Sequence, residues 1–515
     1  QQKRRQRKKK GQQQKRRQRE KQEEEQQIHR VIVYVPKGMF RTGSLLLRSN
    51  TRFHLGRGAS IYGSDNSKDY PIVSMLPNGY GTNKDTMWRA LFAGYNIENV
   101  SITGENEGYA PGSLARFRSS SGGFSSCSCS SHSFAASAVD GPCAKQHQRA
   151  SVNSDGIIGA GGRSENKDCY NGRNDDDDSS LSVIDGVGWK WWCKSRSMPI
   201  PQSYCQDFNP TNETIPKRRS RPKLIEFYNS TNIVLDRFTA RNSPFWFIHP
   251  FLSKNISMTN LTVLAPRAVG NTDGLDPDSC ESVLMDSCYI DVGDDAVSIK
   301  STNHSHGMAQ TRNVTMRNLR IVSRNWCIGS ATFGGVYDIL FEDSSIGDPW
   351  MVTSPWAIKF KSHRYFPGPM ENITIRRIEM GKIGPTPWMY PKAAGSAFLL
   401  GLSYGGKPPA RGRPGKPRFR NVTFEDISVV SAGVAGRIEG LPEDCLEGLT
   451  LRNIDVIGGR ATWICNNVDL NSLMVSNVNP SVSCMGGCNS STGTPVTGVS
   501  AKPSAATRFT AERAL

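Results

Sequence analysis

The sequence predicts an all-β chain built as a parallel β-helix, and three observations carry that expectation. A nine-residue pattern recurs along the chain. The 49 glycines and 29 prolines among 515 residues favour many turns over long helices. The Asn-Gly or Asp-Gly signal of a two-residue hairpin is largely missing between copies of the pattern, which argues against antiparallel neighbours.

The pattern reads NIVLDRFTA from Asn232, NISMTNLTV from Asn255, SVLMDSCYI from Ser282, NVTMRNLRI from Asn313, DILFEDSSI from Asp338, NITIRRIEM from Asn372, NVTFEDISV from Asn421 and GLTLRNIDV from Gly448. Each copy alternates apolar and polar residues, the period of a half-buried strand. Successive copies start 23, 27, 31, 25, 34, 49 and 27 residues apart. A floor in the low twenties suits a coil of three short strands and three turns, with longer spacings projecting as loops. Sandwiches and propellers also repeat short strands, but through hairpins. The return of Asn at the strand entry fits coils stacked about 4.8 Å apart, where each amide can bond the next.

Residues 1–29 form a basic, Gln-rich tail expected to be disordered. Gln1 to Arg30 hold thirteen Lys/Arg against four Glu, which is +9 of the formal +18. Such low-complexity sequence cannot bury a core and is more often solvated than bound to nucleic acid, so no nucleic-acid partner is expected. The other +9 fits mild attraction to an acidic polymer. The β-helix is expected over residues 30–484, interrupted by a loop insertion at 113–222 in which only NSDGIIGAGG from Asn153 and VGWKWWCK from Val187 look like ordered coil. Residues 485–515 are expected to be a second disordered tail.

No stretch reaches the roughly 18 apolar residues of a membrane span, and the chain is expected to be a monomer away from membranes. No charged-then-apolar leader precedes the body, and because the chain begins with Gln1 its front is expected to be incomplete. Ten Asn-x-Ser/Thr sequons, several inside the repeat, support a secreted protein of the extracellular space or cell wall. Cys280 with Cys288 and Cys484 with Cys488 are candidates for small disulfide loops. No Cys/His set has zinc spacing, and the run Asp175 to Asp178 lacks a calcium-binding frame, so no metal or other cofactor is expected.

Chemistry concentrates in NTDGLDPDSC from Asn271 and DVGDDAVSIK from Asp291. Hydrolysis of a glycosidic bond needs one carboxyl to protonate the leaving oxygen and another to activate water or attack carbon. Asp273 and Asp294 are 21 residues apart, close to one coil, which stacks them on adjacent rungs with Asp295 alongside. Carboxylates so close cannot all ionise, and one should keep its proton. Asp276 and Asp278 are read as turn residues.

NTDG followed by GDD about twenty residues later resembles the polygalacturonase family of glycoside hydrolases. VIVYVPKGMFRTGSLLLRSNTRFHLGRGASIYGS from Val31, NSPFWFIHP from Asn242, GSATFGGV from Gly329 and AGRIEGLPE from Ala435 are similar to plant-type members, so the resemblance covers most of Val31 to Cys484. It implies a single-stranded, right-handed β-helix of the pectin-lyase-like kind, acting as an inverting hydrolase on polygalacturonate or related pectins without a metal. Asp294 is then the general acid, with Asp273 and Asp295 activating water. Lys359, Tyr404, Asn271 and His249 are the expected substrate contacts, with Trp246 beside His249.

Two departures stand out. The family's Gly-His-Gly segment falls on NWCIGSATFGG, which has Cys327 and no histidine, and His304 and His306 are not expected to replace it. The family's Arg-Ile-Lys falls on Ala357, Ile358 and Lys359, leaving Arg364 or Lys361 to supply the missing cation. These losses motivate a rival reading, a catalytically impaired β-helix that binds acidic polysaccharide. Pectate lyase chemistry would need a calcium site and an arginine base, for which the sequence makes no clear case. The insertion at 113–222 could close one end of a cleft and bias attack to chain ends.

Overall fold

The computed structural model describes residues 31–73, 87–107, 180–194 and 221–484, with short breaks in the last span and a few isolated residues besides. The basic tail, NSDGIIGAGG and most of the insertion lie outside the described residues. Every copy of the repeat is strand, and neighbouring copies pair in parallel and in register. Ile233, Ile256, Val283 and Val314 share one buried column, which continues through Ile339, Ile373 and Val422 to Leu449. The molecule is a parallel β-helix.

Its corners explain the recurring asparagine. Asn232, Asn255, Ser282, Asn313, Asp338, Asn372 and Asn421 all have φ between 51° and 60°, and Gly448 completes the column at 72°. Left-handed backbone costs most residues about 1–2 kcal/mol but is tolerated by Asn, Asp and Gly. The side chains then bond along the stack. The Asn232 amide donates to Asn99 at 2.9 Å, Asn255 to Asn232 at 3.1 Å, and Asn421 to Asn372 at 3.0 Å. A second corner column contains Asn260, Asn318, Asp343, Asp426 and Asn453, again with positive φ. The excess of sequons therefore has a backbone cause, because seven of the ten asparagines, Asn99, Asn229, Asn255, Asn260, Asn313, Asn372 and Asn421, stand at such corners.

The interior is apolar and aromatic. Trp326 stacks on Phe341 at 5.3 Å between centroids, and Phe398 meets Phe424 at 5.3 Å and Trp463 at 5.7 Å. Three expectations need correction. VGWKWWCK is helix rather than β-coil: Gly188–Lys194 turns Trp191 and Trp192 into the body, where their indole N–H groups donate to the Ser64 and Ser243 carbonyls, each at 3.2 Å. Cys280 and Cys288 are free and buried, since they flank the extended strand Glu281–Asp286, whose ends stand about 17 Å apart, far beyond disulfide reach. Cys484 pairs with Cys465 instead of Cys488, and Cys193 pairs with Cys205. Beyond residue 484, Gly487–Cys488 pairs with Val468–Asp469 and with Pro495–Val496, so that stretch is not structureless throughout.

Candidate active site

One face of the solenoid is a sheet interrupted in the middle. Phe92–Tyr95, Ile225–Tyr228 and Ile248–Phe251 form one part. Val297–Ser301, Trp326–Thr332, Trp356–Lys361, Ser396–Gly401 and Val434–Glu439 form the other. Only isolated bridges through Leu275 and Asp278 join them. Gly274 and Pro277 prevent a regular strand there, as glycine and proline do inside sheets. The motif glycines are needed for close approach: a Cβ on Gly274 would stand 2.5 Å from the Ala296 carbonyl oxygen, and one on Gly293 2.0 Å from that of Val269. These contacts bring the NTDG and GDD turns against each other.

Asp273, Asp294 and Asp295 each present an oxygen within 4.8 Å of the others. Asp294 is held by the backbone, its Oδ2 accepting from the Asn271 N–H at 2.7 Å and its Oδ1 from the Asp295 N–H at 2.9 Å. Asp295 accepts from the Asn325 amide at 3.0 Å and forms a buried ion pair with Lys361. Asp273 Oδ2 lies 3.6 Å from Lys300 Nζ, while its buried Oδ1 accepts no hydrogen bond. Lys300 also pairs with Asp276. Asp276 is thus a fourth carboxylate of the cluster rather than a turn cap.

The neighbouring aspartates titrate in opposite directions. Burial, reinforced by the charges of Asp276 and Asp294, lifts the Asp273 carboxyl well above the usual range. Burial also works against the Asp295 carboxylate, yet Lys361 and Lys359 outweigh it and hold that group below the usual range. Resemblance placed the retained proton on Asp294; the surroundings raise Asp273. Burial, followed by repulsion from Lys361, brings the Lys359 ammonium down to about 8.

The basic motif is displaced by two residues from the sequence reading. Strand alternation turns Ile358 and Phe360 into the core and sends Lys359 and Lys361 outward together. Ala357 is fully buried. A basic-apolar-basic triplet therefore does face the carboxylates, as Lys359, Phe360 and Lys361. Lys359 Nζ lies 3.9 Å from the Trp356 ring centroid and 5.3 Å from that of Tyr404, with Lys361 at 5.7 Å from the latter. Tyr404 is 43% exposed at this rim. Cys327 lies in register between Ser298 and Lys359 and donates to the Ser298 hydroxyl at 3.3 Å. His304 forms a short hairpin strand with Asn303, whereas His306 and Arg364 lie outside the described residues.

His249, expected among the substrate contacts, has almost no exposed surface. It is buried between acids, with Nδ1 at 3.2 Å from Glu226 and 3.0 Å from Lys223, and Nε2 at 3.6 Å from Asp278. Trp246 packs on it at 5.0 Å and receives Lys300 over its ring at 4.4 Å. Sequence reasoning missed several residues. Lys300 was legible in SIK, three positions beyond inward-facing Val297 and one beyond Ile299, which alternation places on the opposite face. Arg221 was hidden inside a basic run read as loop. Arg324, buried and 5.1 Å from the Tyr390 ring, gave no signal. A shallow groove of about 570 Å³ exists elsewhere, lined by Val234, Asn255, Leu284 and Asn313 among others; it gathers no buried charges and is not a catalytic candidate.

Residues 180–479 match the model of glycosyl hydrolases family 28. A Vitis vinifera protein described as "Probable polygalacturonase" is 25% identical over 451 residues, spanning 85% of this chain and 70% of that protein. The endo-polygalacturonase of Pectobacterium carotovorum subsp. carotovorum is 24% identical over 255 residues, which is 49% of this chain and 56% of the relative. In three dimensions the chain resembles the family 28 exopolygalacturonase of Yersinia enterocolitica, with a TM-score of 0.59 and 16% identity over 89% of this chain and 72% of that one. It also resembles the polygalacturonase of Erwinia carotovora ssp. carotovora, with a TM-score of 0.55 and 18% identity over 85% and 89% of the two chains. These two likenesses, at low identity, establish the shared fold.

Proposed function

We propose that this chain, which belongs to glycosyl hydrolases family 28 and is a glycosidase, hydrolyses galacturonate-containing pectic polysaccharide through Asp273, Asp294 and Asp295. The observation that carries the reading is the juxtaposition in one cluster of Asp273, whose carboxyl burial raises, and Asp295, whose carboxyl Lys361 and Lys359 lower. Glycoside hydrolysis requires that division of labour. Asp294 delivers the proton to the leaving oxygen, with the Asp273 carboxyl beside it. Asp295, kept ionised by Lys361, activates water. Asn271 acts through Asp294, which its backbone N–H orients, and His249 supports the coil beneath. Lys359 and Lys361 grip a substrate carboxylate as point charges where a guanidinium would use a planar fork, with Tyr404 flanking the sugar.

Inversion is part of the proposal on the strength of the family resemblance. Oxygens within 4.8 Å are closer than the roughly 6.5–9.5 Å carboxyl separation usual for inverting enzymes, so the anomer of the first product, read by proton NMR, decides it: retention of configuration overturns this element. Secretion to the extracellular space or cell wall is supported by disulfides such as Cys193–Cys205 and Cys465–Cys484, which persist in oxidising compartments. Among the described residues no helix is long and apolar enough to cross a membrane.

The deciding experiment is a reducing-sugar assay on polygalacturonate and rhamnogalacturonan with the wild type and Asp294→Asn. Loss of about 10²- to 10⁴-fold in kcat on substitution is expected for a general acid. No activity in the wild type on either polymer would favour the binding-only reading, to which the absent histidine at Cys327 lends its support.

A further inference from the structure

Arg221 is buried at 4% exposure, lies 5.4 Å from the Phe245 ring centroid, and donates through Nη2 to the Gly270 carbonyl at 3.2 Å and the Asn271 side-chain oxygen at 3.4 Å. Its Nη1 is buried without a hydrogen bond, and among the described residues it forms no ion pair. Asp294 and Asp273 attract it from beyond pairing distance, and burial pulls the guanidinium down to about 10. A buried cation without a paired anion is strongly unfavourable. Such a group makes sense when an anion arrives from outside the chain.

Its place in the coil order says which anion. Arg221 precedes strand Ile225–Tyr228 of the interrupted sheet, two coils before the coil of Asp273. Lys359 and Lys361 lie on Trp356–Lys361, two coils after Val297–Ser301, the strand that follows Asp294 and Asp295. The carboxylate cluster is therefore bracketed along the helix axis by cations on both sides. We propose that Arg221 binds the carboxylate of a uronate on the side of the aspartates opposite Lys359 and Lys361, so that both sugars flanking the cleaved bond are read as uronates. This rests on the hydrolase reading above and sharpens its substrate class. The favoured polymer is a continuous run of uronates, rather than a backbone in which a neutral sugar alternates with a uronate. A guanidinium suits the task because its fork matches a carboxylate.

The test uses the full chain, with oligogalacturonides as free acids and as methyl esters, which keep the backbone and lose the charge. Arg221→Gln should lower kcat/KM on the free acid by about 10- to 100-fold, mainly through KM, for loss of a charged hydrogen-bonding partner, and leave the ester within about 2-fold. Arg221→Lys should recover part of the loss. Equal losses on acid and ester, or an unchanged ratio between them, would overturn the proposal by making Arg221 a structural group. If the Gln variant does not fold by circular dichroism, the Lys variant is read alone by the same comparison, and failure of both to fold also overturns it. A wild type that cleaves neither substrate sinks the hydrolase reading instead. Arg221 is then judged by calorimetric binding of the free acid, where weaker binding by Arg221→Gln supports its role and unchanged binding removes it.

Discussion

On the face carrying strands Thr311–Arg317 and Val336–Ile346, acids and bases alternate from coil to coil. Arg317 meets Asp286 at 2.6 Å, Arg376 meets Glu342 at 2.8 Å and Arg452 meets Glu425 at 2.6 Å, every arginine at least one-third exposed. On the face of the interrupted sheet Asp273, Asp276, Asp294 and Asp295 crowd together, and Lys300 and Lys361 reach them from other coils, nearly all out of water. The side-chain types are the same and the backbone is the same repeating coil. Exposure separates them. In water an ion pair contributes little and its loss is tolerated, whereas a buried set of like charges has its proton affinities pushed apart and becomes chemically useful. The first face holds coils in register; the second spends stability on a reaction.

The largest effect on stability should follow from breaking the buried pair. Lys361→Met leaves Asp295 buried and unpaired, and a loss of about 3–5 kcal/mol is expected in denaturant unfolding at neutral pH. A loss below about 1 kcal/mol would show that the buried pair is no more consequential than the exposed ones.

A subtler effect is the opposite pH signature of two neighbours. Asp273 has a raised folded-state pKa, so its relative stabilisation is complete below the unfolded value of 3.8 and is lost as pH rises toward the folded value. Asp273→Asn should therefore gain melting temperature relative to wild type as pH rises above 3.8. Asp295 has a lowered pKa, so its contribution is present above 3.8 and disappears as pH falls through the folded value. Asp295→Asn should be destabilised at neutral pH and approach wild type in strong acid. Melting curves with the same sign of pH dependence for both variants would contradict the division of roles in the cluster.

The smallest effect belongs to the other face. Arg317→Ala should cost no more than about 1 kcal/mol, and the cost should shrink with added salt. A loss above about 2 kcal/mol would erase the contrast between the faces.

The repeat, the coil spacing and the asparagine corners were legible because they are local. Alternation has period two, left-handed corners select Asn, Asp or Gly residue by residue, and neither depends on distant partners. NTDG and GDD were legible for the same reason, their glycines being demanded by the close approach of adjacent turns. The helix at Gly188–Lys194 was not, because its two tryptophans are fixed by carbonyls at Ser64 and Ser243, more than fifty residues away on either side.

The site itself was only half legible. Sequence placed Asp273, Asp294, Asp295, Lys359, Asn271 and Tyr404 in one neighbourhood, and the fold brings them together. It mistook Ala357 for a motif position, since a one-dimensional match cannot tell which residues of a strand face outward, and it counted His249 among the substrate contacts although Glu226, Lys223 and Asp278 enclose it. By itself the sequence determined the solenoid and the existence of an aspartate cluster. Tertiary structure alone decided which carboxyl is raised and which lowered, because the deciding charge on Asp295 comes from Lys361, 66 residues away, and proton affinity is set by what surrounds a group in space.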